Sequence, residues 1–126
     1  MNLVDSSGWL EYFANGKNAD FFAGPILDSK NLIVSAINIY EVFKKVLMER
    51  DEADAFQAAG IMQQSRVIDV NSELSLAAAK LSAELKLPMA DSLILSTGRI
   101  YGAVIWTQDS DFKNLPNVRY IKPKHG

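Results

Sequence analysis

The sequence predicts an α/β fold, a three-layer α/β/α sandwich with a central, mainly parallel sheet. Short runs rich in Val, Ile and Leu show no alternation of apolar and polar residues, which is typical of strands buried on both faces. Longer segments with apolar residues at helical spacing separate these runs. The chain of 126 residues carries no repeat or linker-like stretch and is long enough for one hydrophobic core, so we expect a single domain over residues 1–126.

The first half of the chain is expected to pass twice from a strand into a pair of helices. Asp5 or Ser6 suits the N-cap of the first helix, and Gly16 suits its end. After the second strand, apolar residues at helical spacing predict two further helices. In order, the predicted elements are a strand at 2–5, a helix at 6–16, a short broken helix at 19–29, a strand at 31–36 and helices at 37–50 and 51–65.

The second half is expected to contain three strands and two helices. Asn71 or Ser72 suits the N-cap of the first of these helices. Pro88 suits the first turn of the next helix, and Gly102 suits its end. In order, the predicted elements are a strand at 66–70, helices at 71–87 and 88–102, an apolar strand at 103–107 and a short strand at 117–122.

Composition removes several kinds of chemistry. The chain has no cysteine, and its only histidine, His125, lies at the end of the chain, where termini usually fray. Ser–His–Asp and Cys–His mechanisms therefore lack their base, and hydrolysis would need carboxylates, lysines or a metal. No apolar stretch approaches a membrane span and no signal-like segment opens the chain, so we expect a cytoplasmic protein with no membrane association.

Five carboxylates are predicted to lie at one edge of the sheet. Asp5 ends the first strand, and Asp109 and Asp111 follow the strand AVIWT. Glu41 lies about one turn into the helix after the second strand, and Asp91 lies in the first turn of the helix after Pro88. Because the carboxyl ends of parallel strands share one edge, where ligands bind, these side chains are expected to converge.

Each acid also has an ordinary structural interpretation. Asp5 would serve as an N-cap, and Asp91 would favour the dipole of its helix. Glu41 falls away from the apolar stripe of its helix, as a solvated glutamate would. Asp109 and Asp111 would build an Asx-turn. Taken singly each interpretation is adequate, but together they leave the convergence on one edge unexplained.

Convergent carboxylates require a cation at neutral pH, because each disfavours the ionisation of its neighbours. Oxygen ligands without His or Cys indicate a hard ion, Mg²⁺ or Mn²⁺. Our hypothesis is that metal held by these carboxylates activates a water for attack on a phosphodiester. The pattern leaves open whether one ion or two are bound.

Four segments of the chain, in this order and spacing, resemble the motifs of a known family: LVDSSGWLEYF, SAINIYEV, PMADSLILSTG and TQDSDF. The chain is similar to PIN-domain ribonucleases, and most of all to the VapC toxins of VapBC toxin–antitoxin pairs. The resemblance implies that Asp5, Glu41, Asp91 and Asp109 hold Mg²⁺ or Mn²⁺, and Asp111 matches a second acid of the last motif. The residue after the first aspartate is commonly Thr in that family, and Ser6 keeps the hydroxyl here.

The resemblance further implies an endoribonuclease, a homodimer and inhibition by a VapB-like antitoxin. If RNA is the substrate of a chain with net charge −2, its phosphates must meet basic side chains near the acids. The candidates are Lys44, Lys45, Arg99 and Lys113, although a basic cluster of this size is also typical of a solvated face. The helices from 37 to 65 carry more apolar residues than one core-facing stripe needs, which indicates either a partner or a well-buried helix pair.

Three other functions share part of this pattern. A PIN nuclease of RNA processing would share all these motifs without acting as a toxin, and a PIN-like module without catalysis would be expected to lack some of the acids. A signalling receiver domain also has an acidic magnesium site, and IKPK (121–124) resembles its Lys-Pro. A receiver, however, needs adjacent acids after its first strand and a phosphoacceptor after its third. Here Ser6 follows Asp5, and Asp51 and Asp54 lie in a predicted helix.

Overall fold

The computed structural model describes residues 1–124, so the histidine noted above, His125, lies outside the described residues. The strands are β1 (Asn2–Val4), β2 (Leu32–Ser35), β3 (Arg66–Ile68), β4 (Val104–Thr107) and β5 (Val118–Tyr120). The helices are α1 (Ser6–Phe13), α2 (Ala19–Leu27), α3 (Ala36–Glu49), α4 (Glu52–Met62), α5 (Ser72–Leu85) and α6 (Met89–Ile100). Short 3₁₀ turns at Ser29–Asn31 and Ser110–Phe112 complete the chain order.

The five strands form one parallel sheet in the order β3-β2-β1-β4-β5. The central strand, β1, pairs on one side with β2, where Leu3 faces Ile33, and on the other with β4, where Leu3 faces Ile105. The predicted parallel sheet and three-layer architecture are confirmed. The continuous apolar runs of β1 and β2 are explained by this arrangement, because both faces of the sheet are covered.

Two apolar cores lie on opposite faces of the sheet. On one face, Leu3, Ile33 and Ile105 pack with residues of α6 and with Phe112. On the other face, Val4, Val34 and their neighbours pack with α1, α2, α3 and α4 through residues that include Trp9 and Phe22. The sheet is therefore the middle layer of a sandwich with four helices on one side and α5 and α6 on the other.

The order of the strands reverses between β1 and β4, which defines the position of the site. From β1 the chain moves outward through β2 to β3, and it then returns across the sheet to β4 and β5. Ligands of open parallel sheets bind at such a switch point, beyond the carboxyl ends of the strands. Asp5 follows β1 and Asp109 follows β4, so these two residues lie on either side of it.

Several element ends differ from the prediction by a few residues. The helix α1 ends at Phe13 rather than Gly16, because Asn15 adopts a left-handed conformation with φ 51°. Pro88 occupies the N-cap of α6 instead of its first turn. Asn71 is the cap of α5, since its side chain accepts the Leu74 N–H at 2.9 Å. Within residues 1–124, no helix has the length and apolar character needed to cross a membrane.

Candidate metal centre

Three carboxylates come together at the carboxyl edge of the sheet. Asp91 lies in the first turn of α6, and Asp109 and Asp111 belong to the 3₁₀ turn that follows β4. Each offers a carboxylate oxygen, and these oxygens lie within 4.8 Å of one another. Asp91 is buried, Asp109 is half-buried and Asp111 is exposed, so the group opens to solvent on one side. We call Asp91, Asp109 and Asp111 the acidic triad.

Asp5 adjoins the acidic triad but is held by hydroxyl groups of its own. Its side chain is 3% exposed, and its Oδ2 accepts hydrogen bonds from Ser7 Oγ at 2.8 Å and Thr107 Oγ1 at 2.9 Å. The pKa of the Asp5 carboxyl is raised to about 6, chiefly by burial and also by the charge of Asp109, while the two hydroxyl groups act in the opposite direction. Asp5 is therefore fixed in place and electrostatically linked to the triad.

Asp91 experiences the strongest repulsion in the site. Burial, a hydrogen bond to Asp111 and the charges of Asp109, Asp5 and Asp111 together raise the pKa of its carboxyl to about 8, and burial is the largest of these causes. The hydrogen bond has this sign because only the protonated form of Asp91 can donate to the Asp111 carboxylate. Without a cation, the site therefore holds a proton between two of its acids at neutral pH.

Glu41 reaches the site through the residue that follows Asp5. Ser6 Oγ donates to Glu41 Oε1 at 2.7 Å, and the Asn38 amide donates to Ser6 Oγ at 2.8 Å. Glu41 is half-buried, unlike a fully solvated glutamate. Among the described residues, the group of mutually close carboxylates does not extend to Glu41 or Asp5. The structure thus brings three acids together, with Asp5 beside them and Glu41 tied to the same loop by Ser6.

The ordinary structural roles of these acids are only partly present. Asp5 occupies the N-cap of α1, yet its side chain makes no capping hydrogen bond. Asp109 does form the predicted Asx-turn, since its Oδ1 accepts the Asp111 N–H at 2.9 Å. That turn directs the chain so that Asp109 and Asp111 both reach Asp91. Turn formation and clustering are therefore compatible here.

The four basic candidates lie in different places. Lys113 directly follows the 3₁₀ turn of the triad, and its Nζ lies 5.8 Å from the centre of the Tyr120 ring. Lys44 and Lys45 are exposed on α3 beyond Glu41, and Lys45 pairs with Glu49 at 2.9 Å. Arg99 lies eight residues beyond Asp91 along α6, about 12 Å along the helix axis at the other edge of the sheet. The structure does not bring Arg99 to the acids.

Sequence reasoning missed three residues that support the site. Thr107 is fully buried, and besides bonding Asp5 it accepts the Asp109 N–H at 2.9 Å, so it joins the ends of β1 and β4. Ser7 bonds Asp5 from the first turn of α1. Asn38 is fully buried within α3. The available signal was weak: each is a small polar residue beside an acid motif, and such residues are common at helix starts for capping alone.

The donor set fits a hard divalent cation. The triad offers oxygen ligands only, and no His or Cys lies among them. A cation there would offset the repulsion that raises the pKa of Asp91, and the open side would leave space for water and phosphate oxygens. The residues present therefore match Mg²⁺ or Mn²⁺ better than zinc, which prefers nitrogen and sulfur ligands.

Comparison with known proteins gives one family and several structural relatives. The profile of the PIN domain family matches residues 3–118. The structure is similar to a toxin–antitoxin complex from Klebsiella pneumoniae, with a TM-score of 0.79, 20% identity and coverage of 94% of this chain and 96% of that one. It is also similar to VapC20 of Mycobacterium tuberculosis, a sarcin–ricin loop cleaving toxin, with a TM-score of 0.74, 18% identity and coverage of 89% and 92%.

A third relative is VapBC2 from Rickettsia felis, bound to a DNA fragment of its promoter, with a TM-score of 0.72, 16% identity and coverage of 96% and 97%. At these identities the structural matches show a shared fold. Comparison with curated proteins gives no significant sequence match.

Proposed function

Because the chain belongs to the PIN domain family, we propose that it is a metal-dependent endoribonuclease and the toxin of a VapBC-type pair. The observation that carries this proposal is the acidic triad at the switch point of the sheet, with Asp5 beside it. The pKa of Asp91 is raised by burial and by three neighbouring acids, so its ionised form is unfavourable without a counter-charge, and carboxyls perturbed in this way are typical of functional sites. Such an arrangement is favourable when a cation is bound.

The proposed ligands are Asp91, Asp109 and Asp111, together with Asp5 and with Glu41 acting directly or through water. When bound, Mg²⁺ or Mn²⁺ supplies a Lewis acid that lowers the pKa of a coordinated water and offsets the charge of a phosphodiester. This chemistry requires no side chain of His or Cys. It also requires no other side chain that acts as a general base at its ordinary pKa.

The residues of the chain have separate tasks in this proposal. Ser7 and Thr107 hold the Asp5 carboxylate in one orientation through two hydrogen bonds. The Asx-turn at Asp109 brings Asp111 and Asp109 to the same side of Asp91. Asp91 releases its shared proton when a cation binds, since the cation favours the ionised form of every ligand. Metal binding is therefore expected to release protons at neutral pH.

For the RNA substrate, we propose Lys113, Lys44 and Lys45 as phosphate contacts. Lys113 is supported by its place in the chain, two residues after Asp111, and by the adjacent ring of Tyr120. Lys45 and Ser7 both line a groove between α1, α3 and α4, which supports a path for RNA past the acids. Arg99 receives no such support, because it lies at the far end of α6. Cellular RNA as substrate agrees with the cytoplasmic location expected from the sequence.

For the partner, we propose a VapB-like antitoxin bound in the groove between α1, α3 and α4. This groove has a volume of about 850 Å³ and leads from Ile61 and Val46 to Ser7 and Gln108, beside the acids. Ile61, which lines the groove, is 37% exposed, and elsewhere on the same two helices Met48 on α3 is 74% exposed and Phe56 on α4 is 60% exposed. Related structures described as toxin–antitoxin or VapBC complexes support a partner of this kind. Co-purification with the product of an adjacent reading frame, with loss of RNase activity in the complex, tests it.

We further propose that the chain forms a homodimer, as the resemblance to VapC toxins implies. Exposed apolar residues on more than one helix leave surface for a second copy as well as for an antitoxin; they include Leu47 on α3, Leu76 and Leu85 on α5 and Met89 on α6. Analytical ultracentrifugation of the purified chain at micromolar concentration is the test. A single species at 13.9 kDa would contradict the dimer.

The enzymatic proposal is tested with total cellular RNA. Purified protein is incubated with RNA in Mg²⁺, in Mn²⁺ and in excess EDTA, and the cleavage sites are mapped by end-labelling. We expect discrete cleavage with either ion and none with the chelator. The Asp109→Asn variant serves as the inactive control. Cleavage that continues unchanged in EDTA would overturn the metal-dependent mechanism, and cleavage of only one precursor RNA would favour the RNA-processing alternative.

A further inference from the structure

A directed series of hydrogen bonds runs from the backbone at the end of β2 to Glu41. The Ser35 N–H donates to Asn38 Oδ1 at 3.2 Å, the Asn38 Nδ2 donates to Ser6 Oγ at 2.8 Å, and Ser6 Oγ donates to Glu41 Oε1 at 2.7 Å. Ser35 and Asn38 are fully buried, and Ser6 is 7% exposed. The series therefore lies inside the protein and ends at the carboxylate.

The direction of every bond in this series follows from its first donor. A backbone N–H can only donate, so the carbonyl oxygen of the Asn38 amide must face Ser35 and its NH₂ must face Ser6. The Ser6 hydroxyl has a single proton, and because its oxygen already accepts from Asn38, that proton is free to point at Glu41. An ionised glutamate can only accept, so it is the fitting end of the series.

We infer that Asn38 is a positioning residue for the metal site, which acts on Glu41 through Ser6. By setting the direction of the Ser6 proton, Asn38 holds one carboxylate oxygen of Glu41, Oε1, and leaves the other for a cation or its water. This inference rests on the proposed function, because it assigns Glu41 to the metal centre. Replacement of a residue that supports a metal ligand through a hydrogen bond commonly weakens metal binding by about 10–100-fold.

Helix capping alone does not account for Asn38. The start of α3 already has a cap, since the Ser35 side chain accepts the Ile37 N–H at 3.2 Å, and Asn38 reciprocates only with its carbonyl oxygen. Its NH₂ group takes no part in the cap and is used across the fold, 32 residues away in sequence, on Ser6. A residue needed only as a cap partner would have no use for that second bond.

The test measures Mn²⁺ affinity by isothermal titration calorimetry, without RNA. Asn38→Leu, which keeps the size of the side chain and removes both bonds, is expected to weaken Mn²⁺ binding at least about 10-fold. Glu41→Gln should also weaken it. In the double variant Asn38→Leu/Glu41→Gln, the affinity should equal that of Glu41→Gln alone, because Asn38 acts only through Glu41. Melting temperature is recorded for each variant.

The matched control is Asn71→Ala. It removes the side chain that caps the start of α5 by accepting the Leu74 N–H, and it contacts neither Asn38 nor Ser6, so it should lower the melting temperature and leave Mn²⁺ affinity unchanged. If Asn38→Leu does not fold, Asn38→Ala carries the same expectation with a smaller side chain.

The outcomes separate the two proposals. If the wild type binds Mn²⁺ and the Asn38 variants bind it with the same affinity, the inference is overturned and the proposed function stands. Fully additive losses of affinity in the double variant would have the same consequence. A wild-type protein that binds no Mn²⁺ would overturn both.

Discussion

At the scale of single residues, Asp91 carries the largest conflict between stability and function. The residue is 9% exposed, and the neighbouring acids Asp109, Asp111 and Asp5 all raise the pKa of its carboxyl. An acid that served only the dipole of α6 would stabilise the fold, whereas an acid in a repelling cluster destabilises it without metal. The sign of the stability change on neutralising Asp91 therefore distinguishes the two roles.

Asp91→Asn should abolish metal-dependent RNA cleavage and leave the metal-free melting temperature equal at neutral pH, where the Asp91 carboxyl already holds a proton, and higher above its raised pKa of about 8, where the variant removes one charge from the cluster. Mn²⁺ should raise the melting temperature of the wild type more than that of the variant, since it binds the native state. Differential scanning fluorimetry and an RNase assay on the same samples measure both effects.

Glu73→Gln is the matched control, because Glu73 is an exposed first-turn acid of α5. It should cost about 0.3–1 kcal/mol of stability, with activity kept. An Asp91→Asn protein that behaves in the same way as this control would contradict the assignment of Asp91 to the metal centre.

The pH dependence of stability has a defined sign in the absence of metal. The pKa of Asp5 is raised to about 6 and that of Asp91 to about 8, so the folded state holds protons that the unfolded state releases at lower pH. The stability that the protonated carboxyls of Asp5 and Asp91 contribute is complete below the ordinary pKa of 3.8. It is lost as pH rises through about 6 and then about 8. The melting temperature in EDTA should therefore fall between about pH 5 and about pH 8.

Saturating Mn²⁺ should remove this fall, because a cation favours the ionised carboxyls. In the Asp91→Asn variant, the fall should be confined to the lower part of the range, where Asp5 titrates. Thermal melts at several pH values, with and without Mn²⁺, give the comparison. A metal-free melting temperature that rises throughout this range, as salt-bridged carboxyls would produce, would contradict the reading of the site.

At the scale of elements, the helix α1, which carries Ser6 and Ser7, packs closely against α2 and β1. Gly8 permits this approach: a Cβ atom there would lie 2.5 Å from Phe22 Cδ1 and 2.7 Å from Val4 Cγ1. Both neighbours are fully buried and cannot turn away freely. The absence of a side chain at Gly8 thus decides how tightly α1 packs.

Gly8→Ala should destabilise the protein by about 1–3 kcal/mol, because the added methyl group overpacks the core. The matched control is Gly60→Ala in α4, where an added Cβ meets nothing within 4 Å. That variant should be more stable than the wild type by about 0.5–1 kcal/mol, since alanine favours helix. Urea denaturation measures both, and equal stability of the two variants would show that α2 yields to the added group.

At the scale of the whole molecule, basic residues lie at both edges of the sheet. Lys113 directly follows the acids and Lys45 lines the groove that reaches Ser7, with Lys44 next to it on α3, whereas Lys30 precedes β2 and Arg99 ends α6, at the opposite edge. Net charge is −2, so any attraction of RNA depends on where the positive charges are and not on their sum.

In the cleavage-deficient Asp91→Asn background, Lys44→Ala/Lys45→Ala should weaken binding of single-stranded RNA. The slope of log K against log salt should become shallower by about 1.4, which corresponds to two lost phosphate contacts. Lys30→Ala/Arg99→Ala removes the same charge at the opposite edge and should leave the slope unchanged. Fluorescence anisotropy across a salt series measures it, and equal slopes in both double variants would assign Lys44 and Lys45 to a solvated face.

The whole-molecule arrangement also excludes the receiver interpretation. Asp51 is the N-cap of α4, with its side chain accepting the Asp54 N–H, and Asp54 pairs with Arg50. Neither residue follows a strand. The third strand, β3, lies at the edge of the sheet, two strands from β1 and its acid, so a phosphoacceptor there would be remote from Asp5.

Much of the fold was predictable because its signals are local. Unbroken apolar runs indicate strands with two covered faces, and caps such as Asn71 mark helix starts, so element type and order followed from short windows of sequence. The parallel sheet in turn predicts that acids after strands share one edge. Element ends were less predictable, since the left-handed residues that end helices are Asn15, just before Gly16, and Lys86, which has no glycine beside it.

By itself, the sequence determined the class of fold, the family resemblance and the kind of chemistry: carboxylates at strand ends, with no cysteine and no histidine outside the chain end. The tertiary structure decided which of those carboxylates meet, since Asp111 joins Asp91 and Asp109 while Glu41 is reached through Ser6 and Asn38. It also separated Arg99 from the acids. The reason is physical: helices and strands follow from short-range periodicity, whereas the partners of a side chain depend on strand order and packing between segments that lie far apart in the chain.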